Sequence, residues 1–131
     1  MPFIKISTLL NSLDKAAIMK NIENKLYNCD YQKDKLMPPN MATCIWQTND
    51  CVVHKLESHT QFDPKQEEIP VFVDLYVNTQ FKSDQVAIIM QVIAEELSND
   101  TGIDIKWVFI QVHIGLPGYV FINGNVFTGK L

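Results

Sequence analysis

Cys51, His54, His59 and Asp63 lie close together and carry the donor types that hold transition metals. Their spacing, C-x2-H-x4-H, matches no common metal site, and the residues straddle a short strand and a polar connector, so no metal is expected. His113 stands at an alternation of two from Gln111, Phe109 and Trp107 in DIKWVFIQVHI, which places it on one strand face with them. A hydrogen-bonded interior histidine is the expected role, with acid–base work as the alternative. Gly115, Gly118, Gly124 and Gly129 form no G-x-G-x-x-G, and Gly129-Lys130 lacks the Ser/Thr and helix of a phosphate loop, so no nucleotide cofactor is expected. Glu95-Glu96 and Glu67-Glu68 read as solvated faces. Pro2, directly after Met1, opens MPFIKIS as Pro70 opens IPVFVDL, each at a strand start where the missing N–H does least harm.

Charge narrows the partners. Eleven basic residues, all of them lysine, face fifteen acidic ones, for a net charge of −4. Without arginine, forked recognition of phosphate or carboxylate is lost, so nucleic acid is not an expected partner. Any anionic ligand falls to lysine, backbone N–H groups or neutral donors. Cys29, Cys44 and Cys51 are odd in number and form no C-x-x-C, and the first ten residues carry neither a charged n-region nor a cleavable h-region. Reduced thiols and a cytoplasmic location are the expectation. No apolar run approaches the ~18 residues of a membrane span, so no membrane is expected.

The elements that position these groups are legible in the periodicity. Residues 3–8 alternate, with Ile4 and Ile6 on one side and Phe3, Lys5 and Ser7 on the other. Ser12 offers an N-cap, and Leu13, Ala16, Met19, Ile22 and Leu26 follow at helical spacing. Pro38 and Pro39 close that segment. MATCIWQT reads as a strand, NDC as a turn, VVHKLE as a shorter paired strand, and SHTQFDPKQEE as a solvated connector. The order then repeats. IPVFVDLYV is an apolar strand, SDQVAIIMQVIAEELSND a helix with Ser83 as cap, Gly102 a stop, and DIKWVFIQVHI a long strand. Apolar residues go most of the way round the second helix, which should be the more buried of the two. Asn123-Gly124 between short apolar stretches is a hairpin signal, and so short a hairpin must pack on a neighbour. The expectation is one α+β domain over 1–131 with pseudo-repeats at about 2–68 and 69–131. It has β-α-β-β-α-β order plus a C-terminal β-hairpin, with helices on one face of a mixed sheet.

This order, with a proline after the first Met and a terminal hairpin, resembles the tautomerase superfamily, and most closely its fused two-repeat type, like macrophage migration inhibitory factor and 4-oxalocrotonate tautomerase. The resemblance implies a homotrimer and a catalytic Pro2, a general base once Met1 is removed, acting on a small-molecule keto/enol acid without a cofactor. An α-amino group titrates near ~8, and an apolar pocket disfavours its protonated form, so a base poised near neutrality is intelligible. Phe3, Trp107, Phe109, Tyr119 and Phe121 supply candidate walls. The resemblance also implies substrate-binding roles for Lys35 or Lys33, in KDKLMPP, and for Phe109 and Gln111, where the family presents a tyrosine and an asparagine towards a neighbouring subunit's site. Tyr119 and Phe121 complete the substrate-binding set.

Two other readings stand beside the enzyme. One is a non-catalytic trimeric scaffold or small-molecule binder of the same fold, with Pro2 merely starting an edge strand. The other is a ferredoxin-like ligand-sensing module, whose element order is the same.

Overall fold

The computed structural model describes residues 2–8, 13–37, 42–48, 54–55, 60–61 and 69–129. In chain order these form β1 (Phe3–Thr8), α1 (Lys15–Asn28), β2 (Asp30–Tyr31), β3 (Asp34–Lys35), β4 (Thr43–Thr48), β5 (His54–Lys55), β6 (Thr60–Gln61), β7 (Val71–Asn78) and α2 (Ser83–Thr101). A 3-10 turn (Ile105–Trp107) leads into β8 (Val108–Gly115), and β9 (Phe121–Ile122) and β10 (Asn125–Val126) follow. The main sheet runs β4-β1-β7-β8. Within each half the strands flanking a helix are parallel neighbours, β1 beside β4 and β7 beside β8, and the halves meet through antiparallel β1 and β7.

This pairing excludes the ferredoxin-like alternative. A split β-α-β unit separates the two strands that flank its helix by inserting another between them. Here each helix connects adjacent strands, the ordinary crossover between parallel neighbours.

Alternation decides which side of the sheet the helices cover. Ile4 and Ile6 from β1 and Val71, Val73, Leu75 and Val77 from β7 are buried against Ile18, Ile22 and Leu26 of α1 and Val86, Ile89, Ile93 and Leu97 of α2. Each such side chain withdrawn from water contributes about 1.5–3 kcal/mol, which makes this face the main source of stability. Cys44 and Trp46 of β4 and Val108, Ile110 and Val112 of β8 extend the same layer. As the residue pattern requires, α2 is the more buried helix.

Helix ends depart from the sequence reading. Ser12 lies outside the described residues, and α1 is capped by Asp14, whose carboxylate accepts the Ala17 N–H at 3.1 Å. Its buried stripe is Ile18, Ile22 and Leu26, a strict spacing of four, which leaves Ala16 exposed. In α2 the cap is Lys82 and Ser83 is already helical; the Gln85 side chain reaches back to accept the Lys82 N–H at 2.8 Å, the return half of a capping box. Gly102 ends α2 in the left-handed region at φ 78°, as expected.

Two small hairpins also differ. β2 and β3 pair across a turn at Gln32, φ 58°, in a stretch read only as polar. β5 pairs forwards with β6. The last strand begins only at Val108, because Asp104 accepts the Lys106 N–H and winds Ile105–Trp107 into a 3-10 turn. Asn123 (φ 52°) and Gly124 (φ 78°) form the hairpin turn that Asn-Gly signals. Among the described residues no helix is long and apolar enough to cross a membrane.

Candidate functional site

The sheet face away from the helices is open, and its residues follow from the register. One row runs Thr43, Phe3, Tyr76, His113; the next Ile45, Lys5, Asp74, Gln111; the third Gln47, Ser7, Phe72, Phe109. Phe72 and Phe109 stack with ring centroids 5.5 Å apart, and the Tyr76 and His113 rings stack at 4.5 Å. Between these stacks His113 Nε2 lies 2.8 Å from Asp74 Oδ1. Among the described residues no hydrogen bond occupies His113 Nδ1.

At the His113 end the chain folds back to make a cavity of about 200 Å³. Phe3, Tyr76, Asn78, His113, Val120 and Phe121 are among its walls. Gly115 makes the closure possible, because a Cβ there would collide with the Val120 side chain. Gly118 and Phe127 backbone groups bond at 2.7 Å, as do Phe127 and Val120, and these bonds hold the C-terminal hairpin over the sheet end. Asn78 Oδ1 accepts the Gln80 N–H at 2.9 Å, which leaves its NH2 as the donor available to the cavity. The volume is below the ~300–1,000 Å³ of drug-sized pockets, a size for a small molecule.

Pro2 sits directly before Phe3 of the cavity wall and is fully buried. Its carbonyl accepts the Thr43 N–H at 3.1 Å, so the parallel partner strand fixes the start of β1. Pro70 is buried at the matching place in the second half, and the Thr8 hydroxyl donates to its carbonyl at 3.1 Å.

The predicted substrate-binding residues separate into groups. Phe121 lines the cavity beside Phe3. Tyr119, 86% exposed, stands on the outside of the same hairpin. Phe109 and Gln111 line a different, shallow cavity with Phe72 and Asp74, further along the open face. Lys33 and Lys35 are exposed on the β2-β3 hairpin, where Lys35 Nζ lies 3.2 Å from Asp30. That hairpin is tied to α2 by Tyr31, whose hydroxyl donates to Asp84 at 2.6 Å. The bond pushes the tyrosine pKa up and holds the Asp84 carboxyl below its ordinary range. Of the metal-like set, Cys51, His59 and Asp63 lie outside the described residues, and His54 is placed only as part of β5. Burial pushes the Cys44 thiol up to about 12, with Glu23 adding to it, so this cysteine is no nucleophile.

Sequence reasoning left out Asp74, Tyr76 and Asn78. The alternation of VFVDLYVN put them on one face, but nothing local indicated that His113 would lie beside them.

No family model matches the sequence, and neither does any curated protein. Solved structures do match its fold. MIF2 of Leishmania major superposes with a TM-score of 0.65 at 14% identity, covering 97% of both chains. The fused 4-OT protein Q0, a symmetric trimer, gives 0.70 at 11%, covering 97% of this chain and 96% of its own. The protein N1, a member of the cis-3-chloroacrylic acid dehalogenase family, gives 0.68 at 12%, covering 95% and 82%. The fold is that of the tautomerase superfamily. Two parallel β-α-β halves joined antiparallel, which excluded the ferredoxin-like order, are therefore the tautomerase fold over nearly the whole chain. At these identities the likeness carries the architecture and no particular chemistry.

Proposed function

We propose that the chain is a keto–enol tautomerase in which Pro2, freed of Met1, is the general base for a small keto or enol acid. The observation that carries this reading is that Pro2 is fully buried and directly precedes Phe3, which lines an apolar cavity with Phe121. Removal from water disfavours an ammonium and so keeps a terminal secondary amine basic and unprotonated nearer neutrality. Lys35, or Lys33, attracts the substrate carboxylate as a point charge, and Asn78 donates to its oxygen atoms. Phe121 walls the cavity, and Tyr119, on the outside of the hairpin, is offered to a neighbouring subunit's substrate. Phe109 and Gln111, which line a cavity different from the one Phe3 and Phe121 wall, serve the site of a neighbouring subunit. That arrangement needs the homotrimer which we also propose, supported by the exposed hairpin aromatics, the open sheet edges and the trimeric fused 4-OT structure. An odd cysteine count with no C-x-x-C supports the cytoplasmic location that we also propose.

Intact mass establishes whether Met1 is lost, and ketonisation of phenylpyruvate or hydroxyphenylpyruvate tests the base. The processed protein should exceed a form extended ahead of Met1 by at least ~100-fold, the scale of a lost general base. Equal rates in the two forms reject Pro2. A second reading, a trimeric scaffold or small-molecule binder without catalysis, is favoured by one observation: Lys35 already faces Asp30 at 3.2 Å.

A further inference from the structure

The pair formed by His113 and Asp74 has no part in the Pro2 chemistry, yet His113 walls the same cavity. Three features set this histidine apart from a merely structural one. Asp74 takes Nε2 at 2.8 Å, which fixes the ring orientation and the tautomer by accepting the N–H there. The Tyr76 ring lies 4.5 Å away at 14° and covers one face of the imidazole. Nδ1 is then a lone-pair acceptor with no hydrogen-bond partner among the described residues, on a side chain that is 38% exposed. Asp74 lines the other cavity, so it orients the histidine without entering the space that His113 walls.

We infer that His113 is a second general base of this cavity, positioned by Asp74 and stacked on Tyr76, which exchanges a proton at the carbon next to a carbonyl in a small aryl-bearing keto acid. In this step the Nδ1 lone pair takes the proton. The C–H electron pair becomes the enolate double bond, and the carbonyl π pair moves to oxygen, where the Asn78 NH2 donates to it. The imidazolium is stabilised by the Asp74 carboxylate and the Tyr76 ring face. It returns the proton to the same carbon or to the enolate oxygen, so nothing is oxidised or reduced. Phe3 and Phe121 supply apolar walls for an aryl group. Because this base is not the N-terminal amine, it acts whether or not Pro2 is free.

The test uses the full chain carrying a short peptide ahead of Met1, which removes Pro2 from the chemistry. Phenylpyruvate in D2O is followed by proton NMR for loss of its C3–H signal. The extended protein should accelerate exchange over buffer, and His113→Gln should lower that acceleration by about 100-fold or more. Asp74→Asn should lower kcat roughly tenfold or more with KM unchanged, the signature of a positioning residue outside the binding space. If His113→Gln proves poorly folded, Asp74→Asn in the same background decides. No acceleration by the extended protein, or acceleration that both variants retain, overturns the inference. Neither result touches the Pro2 reading, which rests on the processed form alone.

Discussion

The Tyr31 hydroxyl donates to Asp84 at 2.6 Å, joining the hairpin that carries Lys33 and Lys35 to the first turn of α2. The bond crosses the surface between elements more than fifty residues apart, and it sets where the two lysines stand.

Tyr31→Phe should therefore release the hairpin. The Asp84 carboxyl has a depressed folded value, so its contribution is present above its unfolded value of 3.8 and is lost as pH falls through the folded one. The variant should melt lower than the parent at pH 7, and the gap should narrow as pH falls below 3.8 towards the depressed folded value. Thermal melts followed by circular dichroism across that range check this. KM for acidic substrates should rise with kcat little changed, because the released hairpin carries the lysines proposed to attract the carboxylate.

Glu96 gives the opposite sign. It is 8% exposed on α2, and burial, reinforced by the Asp100 carboxylate, pushes its pKa above the ordinary 4.5. The folded state then holds a proton that the unfolded state has released, so stability falls as pH rises from about 4.5 through the raised value. Glu96→Gln should be close to neutral at pH 4 and stabilising at pH 7. Urea midpoints across that range decide it, and a variant less stable at pH 7 contradicts the assignment.

The C-terminal turn offers a test of assembly. Gly124 has φ 78° with open space around it, so a side chain there meets no neighbour, and the cost is backbone strain alone. For a β-branched residue this is about 1–3 kcal/mol. Gly124→Val should loosen the hairpin that closes the cavity, lower the melting temperature and shift the mass in light scattering from that of the proposed trimer towards monomer. Unchanged mass and melting would separate the hairpin from assembly.

Thiol chemistry checks the placement of Cys44. With its pKa pushed up to about 12, it should resist alkylation at pH 8 in the native protein and react fully once unfolded. Peptide mapping by mass spectrometry distinguishes it from Cys29 and Cys51. Rapid native labelling of Cys44 would place that strand elsewhere.

What the residues determined by themselves was local. Ile4 and Ile6 against Phe3, Lys5 and Ser7 announced a strand with one dry face, the apolar positions of 83–101 a deeply buried helix, and Asn123-Gly124 a hairpin. Such signals are written by neighbours in the chain, since strand and helix periods and φ preferences need no distant partner. Tertiary structure alone decided that β1 meets β7 antiparallel while each half stays parallel within itself. That pairing puts Asp74 against His113, 39 residues away, and leaves Phe109 and Gln111 in a cavity apart from the one that Phe3 and His113 line. Gly115 shows the same division, an ordinary glycine in the sequence that the approach of Val120 makes necessary. Sheet order rests on contacts between segments far apart in sequence, whose loop-closure cost and shared burial no window of residues records.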